Sequence, residues 1–204
     1  MSTITRRSAL TLFASVPAAA AFAWTPVEAE RAAERAQQSR RTAAERGTAF
    51  TPTFFTAHEY ATVAVLVDLI IPRDDRSGSA TEAGVPEFMD FMMRDQPERQ
   101  TAMRGGLALV DRISQERYGR RFVECPDGQR REILDDIAYP SKAPASLSQA
   151  VAFFTGFRDL TASGFWTTKM GIADLGYQGN EFVSVWDGCP QPALDKLGVK
   201  YEAK

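Results

Sequence analysis

The chain is short of the residues that carry most protein chemistry. Its 204 residues include one histidine, His58, and two cysteines, Cys125 and Cys189. A zinc centre draws three or four ligands from Cys, His and carboxylates at recognisable spacings, and these three residues are scattered too widely to supply one. Neither G-x-G-x-x-G, G-x-S-x-G nor C-x-x-C-H occurs, so the signatures of dinucleotide binding, serine hydrolysis and covalent haem attachment are missing. Gly105-Gly106 lies within a helical pattern and follows no strand, which is the wrong setting for a phosphate loop. No basic cluster stands out and the net charge is −2, a balance that argues against nucleic acid and anionic membranes as partners. No apolar run approaches the roughly 20 residues of a membrane span.

The titratable groups that are present suit surface roles. Asp74-Asp75 and Asp135-Asp136 are adjacent pairs, and neighbouring side chains diverge on a helix or a turn, so neither pair is placed to share a proton. His58 falls in a first helical turn, with no motif around it that adds a nucleophile and an orienting carboxylate.

What is present begins with an export pattern. Residues 2–23, STITRRSALTLFASVPAAAAFA, combine paired arginines, a modest apolar run and small residues ending in A-F-A. Arg6 and Arg7 in T-R-R-S-A-L match a twin-arginine signal, and Ala21 and Ala23 supply the small-x-small cleavage pattern. Loss of this segment would remove two positive charges, taking −2 to −4, and leave about 180 residues, enough for one domain with a core. The twin-arginine route moves folded cargo, which points to a cofactor or a partner.

Residues 24–49 are rich in Ala, Glu and Arg without an apolar stripe, and read as a solvated helical or disordered tether. The domain itself, residues 50–204, is predicted to be mostly α, a single compact multi-helix unit. Thr56 and Glu59 form a capping box ahead of a face made by Tyr60, Val63, Val67 and Ile70, which stops at Ile71-Pro72. The stretch RDDRSGSATEAG reads as a loop. Pro86 and Pro97 open the next helices, and Gly119 follows the second. Its buried row is Met103, Leu107, Val110 and Ser114. A short amphipathic helix over PDGQRREILDDIA comes next. The last long helix is expected to bury Leu147, Val151, Phe154 and Phe157.

The tail, residues 170–204, mixes glycine, proline and large aromatics without helical period and is expected to be largely irregular, with a short extended piece at residues 182–186. Tyr177, Phe182 and Trp186 are costly to leave in water, on the order of 2 kcal/mol each, so the tail is expected to pack on its own helices or on another protein. With Asn180 they are the candidate partner-binding residues. In an oxidising compartment two thiols are expected to be used. Cys125 and Cys189 either pair, closing a loop of about 65 residues worth about 4 kcal/mol, or Cys189 bridges to a partner.

Four segments together resemble one family: F-T-x-x-E-x-x-T-V from Phe55, D-L-I-I-P-x-D-D from Asp68, A-G-V-P-x-F-x-D at residues 83–90, and D-L-G-Y-x-G-N at residues 174–180, followed by W-D-G-C-P. With the signal, these resemble the gluconate 2-dehydrogenase subunit 3 family over roughly residues 50–199, most specifically in the third and fourth segments. The resemblance implies a small, α-helical, non-catalytic subunit of a periplasmic sugar or sugar-acid dehydrogenase. It also implies a separate catalytic partner of the glucose–methanol–choline class that binds FAD, with electrons usually passing to a cytochrome c. On that view the partner is the folded cargo, and no catalytic, cofactor-binding or metal-binding residue belongs to this chain. Two other readings compete. One is a stand-alone periplasmic enzyme or ligand-binding protein using His58 and Asp74. The other is a scaffold whose tail docks a protein without flavin.

Overall fold

A computed structural model of the chain describes residues 25–177, 184 and 188–201. The export pattern at Arg6, Arg7, Ala21 and Ala23, the partner candidates Asn180, Phe182 and Trp186, and the expected extended piece lie outside the described residues. The described residues form nine α-helices and no strand, a mostly-α fold as the sequence predicts.

The boundaries follow local chemistry. Helix α1 (Pro26–Glu45) starts at a capping box of Thr25 and Glu28. Helix α2 (Ala57–Ile70) starts at the box expected from Thr56 and Glu59, each side chain bonding the other's backbone N–H. Ser79 and Glu82 repeat the device on the short α3 (Ala80–Ala83). Gly84 then turns the chain at φ +92, where a side chain would be strained, directly into α4 (Val85–Asp95) with Pro86 in its first turn. A 3-10 turn at Pro97–Arg99 leads into α5 (Gln100–Tyr118), and α6 spans Asp127–Ala138. Helix α7 (Ser148–Trp166) is followed by α8 (Lys169–Leu175), capped by Thr168, and by α9 (Gln191–Leu197).

The core is built around α7, which packs against α4, α5, α6 and α8. It contributes Phe153, Phe154, Phe157, Leu160 and Phe165, all buried. Close approach requires small residues opposite these rings. A Cβ on Gly106 of α5 would lie 1.8 Å from the Phe153 ring, and one on Gly164 of α7 would lie 2.7 Å from the Phe88 ring. Gly106 thus lets two helices meet over an aromatic ring, which offsets the roughly 1 kcal/mol a glycine costs inside a helix. Met103, Leu107, Val110 and Ser114 are buried on α5, the row their spacing predicts.

Three expectations need correction. The segment read as a tether is α1, which packs along α4 and buries Ala29, Ala32, Ala33 and Ala36. Its buried face consists of methyl groups, invisible to a search for large apolar residues, and each contributes on the order of 0.8 kcal/mol. The stretch read as a loop after Pro72 contains α3, because Ser79 and Glu82 cap four residues between the turn and Gly84. Within the described residues of the tail two short helices occur, α8 bounded by Thr168 and Gly176 and α9 bounded by Pro190 and Gly198. On α7 the buried face is centred on Phe153 and Phe157, while Leu147 and Val151 are half-buried beside it.

Candidate functional surface

The 83–90 segment builds an anchor rather than an open site. Asp90 is wholly buried on α4. Its Oδ1 accepts from the Phe54 and Phe55 N–H groups at 2.9 and 3.0 Å, and its Oδ2 from Thr53 N–H and Oγ1–H at 3.0 and 2.8 Å. A buried carboxylate is tolerable only with such a set of donors. The same loop is held from the other side by Arg104. Its guanidinium donates to both oxygens of Glu59 and to the Phe54 carbonyl, and lies 4.4 Å from the centre of the Phe54 ring.

One turn earlier, Glu87 is buried between α1 and α2. Burial pushes its carboxyl above the usual range, against the opposing pull of Arg40, whose Nε lies 3.5 Å from Oε1, and of the Tyr60 hydroxyl. Burial and the Glu87 charge likewise raise the Tyr60 phenol well above its ordinary value. Glu87 Oε2 has no hydrogen-bond partner among the described residues. Arg40 also donates to the Glu82 carbonyl at 2.7 Å and covers Gly84, so α1 is fastened to the α3–α4 turn.

The remaining candidate groups are engaged individually and do not converge. His58 Nε2 lies 2.5 Å from Asp111 Oδ2, and Asp111 Oδ1 accepts the Phe122 N–H at 3.0 Å. This chain of contacts ties the start of α2 to α5 and to the turn after it, which sequence spacing alone could not reveal. Asp74, the residue paired with His58 in the stand-alone reading, accepts from the Arg76 and Ser77 N–H groups instead. Those bonds hold its carboxyl below the ordinary value. Asp136 pairs with Arg117 at 2.5 Å while Asp135 is exposed. Gly105-Gly106 is mid-helix, with Gly106 closed over by Phe153, so it offers no phosphate cradle. Cys125 and Cys189 are both free thiols in this structure. Cys125 is buried with its sulfur 3.0 Å from Ser114 Oγ, whereas Cys189 is exposed and donates its N–H to the Tyr201 hydroxyl.

Exposed apolar groups gather at one end of the sequence. Among the described residues, seven of the nine exposed large apolar side chains lie between residues 166 and 201: Trp166, Ile172, Leu175, Tyr177, Leu197, Val199 and Tyr201. Ile172 and Leu175 are three apart on α8 and so share a face. Tyr177, the one partner candidate within the described residues, is 62% exposed beside them. Helix α8 is itself firmly seated. Gly171 lies against the Phe165 carbonyl too closely for a Cβ, and Arg76 donates to the Asp174 carbonyl with the Asp174 carboxylate 3.4 Å away. A fixed helix thus presents apolar groups to solvent, the arrangement expected of an interaction surface.

The family model of gluconate 2-dehydrogenase subunit 3 matches residues 57–188. The chain belongs to this family. As a gluconate 2-dehydrogenase subunit 3 protein it is a subunit of a multi-subunit dehydrogenase complex. No curated protein and no solved structure matches it. The match begins at the first residue of α2, so α1 and the loop gripped by Asp90 precede it. Among the described residues no helix is long and apolar enough to cross a membrane, and no group of three or more His, Cys, Asp or Glu is placed to hold a metal.

Proposed function

We propose that this subunit is non-catalytic and accompanies an FAD-dependent sugar or sugar-acid dehydrogenase of the glucose–methanol–choline class to the periplasm. FAD sits in the catalytic partner, which a twin-arginine signal on this chain carries across the membrane already folded. Electrons leave the flavin for a cytochrome c. The observation that carries this reading is the exposed apolar surface of a seated helix, Ile172 and Leu175 with Tyr177 beside them, in a member of a subunit family. Apolar groups held on a rigid element lose little entropy on docking, so they favour a stable partner. Arg6 and Arg7 supply the export part of the reading.

The test is purification of the tagged full chain from the periplasm of its native host. A yellow complex with a larger oxidoreductase is expected, and replacing Arg6 and Arg7 by Lys is expected to leave both chains in the cytoplasm. A colourless chain without a partner overturns the accessory role. A partner without flavin leaves a scaffold in its place, and export of the partner with the Lys variant overturns the carrier role.

A further inference from the structure

A separate cleft of about 460 Å³ lies between the C-terminal half of α1, the loop that follows it, and α4. We propose that it binds a small organic anion bearing carboxylates. Three arginines line it, Arg35, Arg46 and Arg94, and no acidic residue does. Arg35 is paired with Asp95 at 2.5 Å. The guanidinium groups of Arg46 and Arg94 have no partner among the described residues, nor do the hydroxyls of Ser39 and Thr51, residues that also line the cleft. With Arg35 offset by Asp95 and the hydroxyls of Thr42, Thr48 and Thr53 already donating, Arg46 and Arg94 are the unused charged donors and give the lining a net positive charge.

The C-terminal end of a helix normally disfavours anions through its free carbonyls. Here the Thr42, Ala43 and Ala44 carbonyls at the end of α1 are engaged by the N–H groups of Arg46, Thr48 and Gly47. Phe50 and Phe91, in edge contact at 6.2 Å, add an apolar wall. That wall suits a ligand with a carbon skeleton better than inorganic phosphate, while the guanidinium forks suit its carboxylates. The volume falls within the range of small-molecule sites. Most of the lining precedes residue 57, where the family match begins. The proposal stands apart from the subunit role and survives or fails independently of it.

The test is calorimetric titration of the full chain at low ionic strength with citrate, and with inorganic phosphate at equal ionic strength. Citrate is expected to bind more tightly than phosphate. The double variant Arg46→Ala/Arg94→Ala is expected to weaken citrate by about tenfold or more, consistent with loss of two charge-assisted contacts. Arg112→Ala, which removes an exposed arginine of α5 paired with Glu116, is expected to change nothing. All three arginines are exposed, so circular dichroism of the variants should match the parent. Absence of citrate binding, equal affinity in the double variant, equal weakening by Arg112→Ala, or phosphate binding at least as tightly as citrate would each overturn the assignment.

Discussion

Residues 83–90 and residues 174–177 both belong to the segments that mark the family, yet they stand at opposite extremes of burial. From Ala83 to Asp90 every residue except the turn-forming Gly84 puts a buried side chain into the domain, and even the carboxyls of Glu87 and Asp90 face inward. From Asp174 to Tyr177 the backbone is held by Arg76 and by the Gly176 turn, while Leu175 and Tyr177 stand exposed at 60% and 62%. The first segment spends its chemistry on the fold. The second spends only enough to stay in place and leaves its apolar side chains free. A recognisable motif is therefore not one kind of evidence: only the second has surface left over for a partner.

The sharpest way to break this contrast is at Asp90. Asp90→Ala would leave the buried Phe54 and Phe55 N–H groups without their acceptor and the Thr53 loop without its tie. Unpaired buried donors cost about 1–3 kcal/mol each, so a loss of about 3–5 kcal/mol is expected in urea unfolding. A loss below about 1 kcal/mol would mean that the segment is no anchor.

Glu87 gives a smaller effect that depends on pH. Burial raises its carboxyl in the folded state above the 4.5 of an ordinary glutamate. The folded protein then binds this proton more tightly than the unfolded chain, so stability is fuller below about 4.5 and declines as pH rises through the raised folded value. Glu87→Gln is expected to flatten that decline while keeping the packing between Tyr60 and Arg40. Unfolding curves collected between pH 4 and pH 7 would check it, and an unchanged slope would place the pH dependence elsewhere.

The sequence made some of this legible and hid the rest for identifiable reasons. The helix starts at Thr56, Pro86 and Pro97 and the buried row of α5 follow from local rules of capping and period, and the structure places them as expected. The packing of α1 was hidden because its buried face is alanine, which weighs little on any hydropathy pattern. The contact of His58 with Asp111 and the grip of Asp90 on Thr53–Phe55 join residues 53 and 35–37 positions apart. No local periodicity encodes such pairs. Tyr177 is legible in the sequence as a large exposed aromatic candidate, whereas Ile172 and Leu175 share a face only because Thr168 and Gly176 bound a helix, which the glycine-broken pattern of the tail hides.

The smallest effect on stability is expected where the effect on association is largest. Leu175 is exposed on α8, so Leu175→Ser removes no buried contact and should change unfolding by less than about 0.5 kcal/mol. If Ile172 and Leu175 meet a partner, the same substitution combined with Ile172→Ser removes the apolar centre of that contact, and such centres carry most of the binding energy of an interface. Co-purification of the dehydrogenase partner with the double variant should then fall by at least about tenfold while circular dichroism and unfolding stay as in the parent. A variant that unfolds early would show that α8 needs these side chains for its own packing. A variant that is stable and still holds the partner fully would move the interface away from α8, and the contrast between the two marked segments would then be one of burial alone.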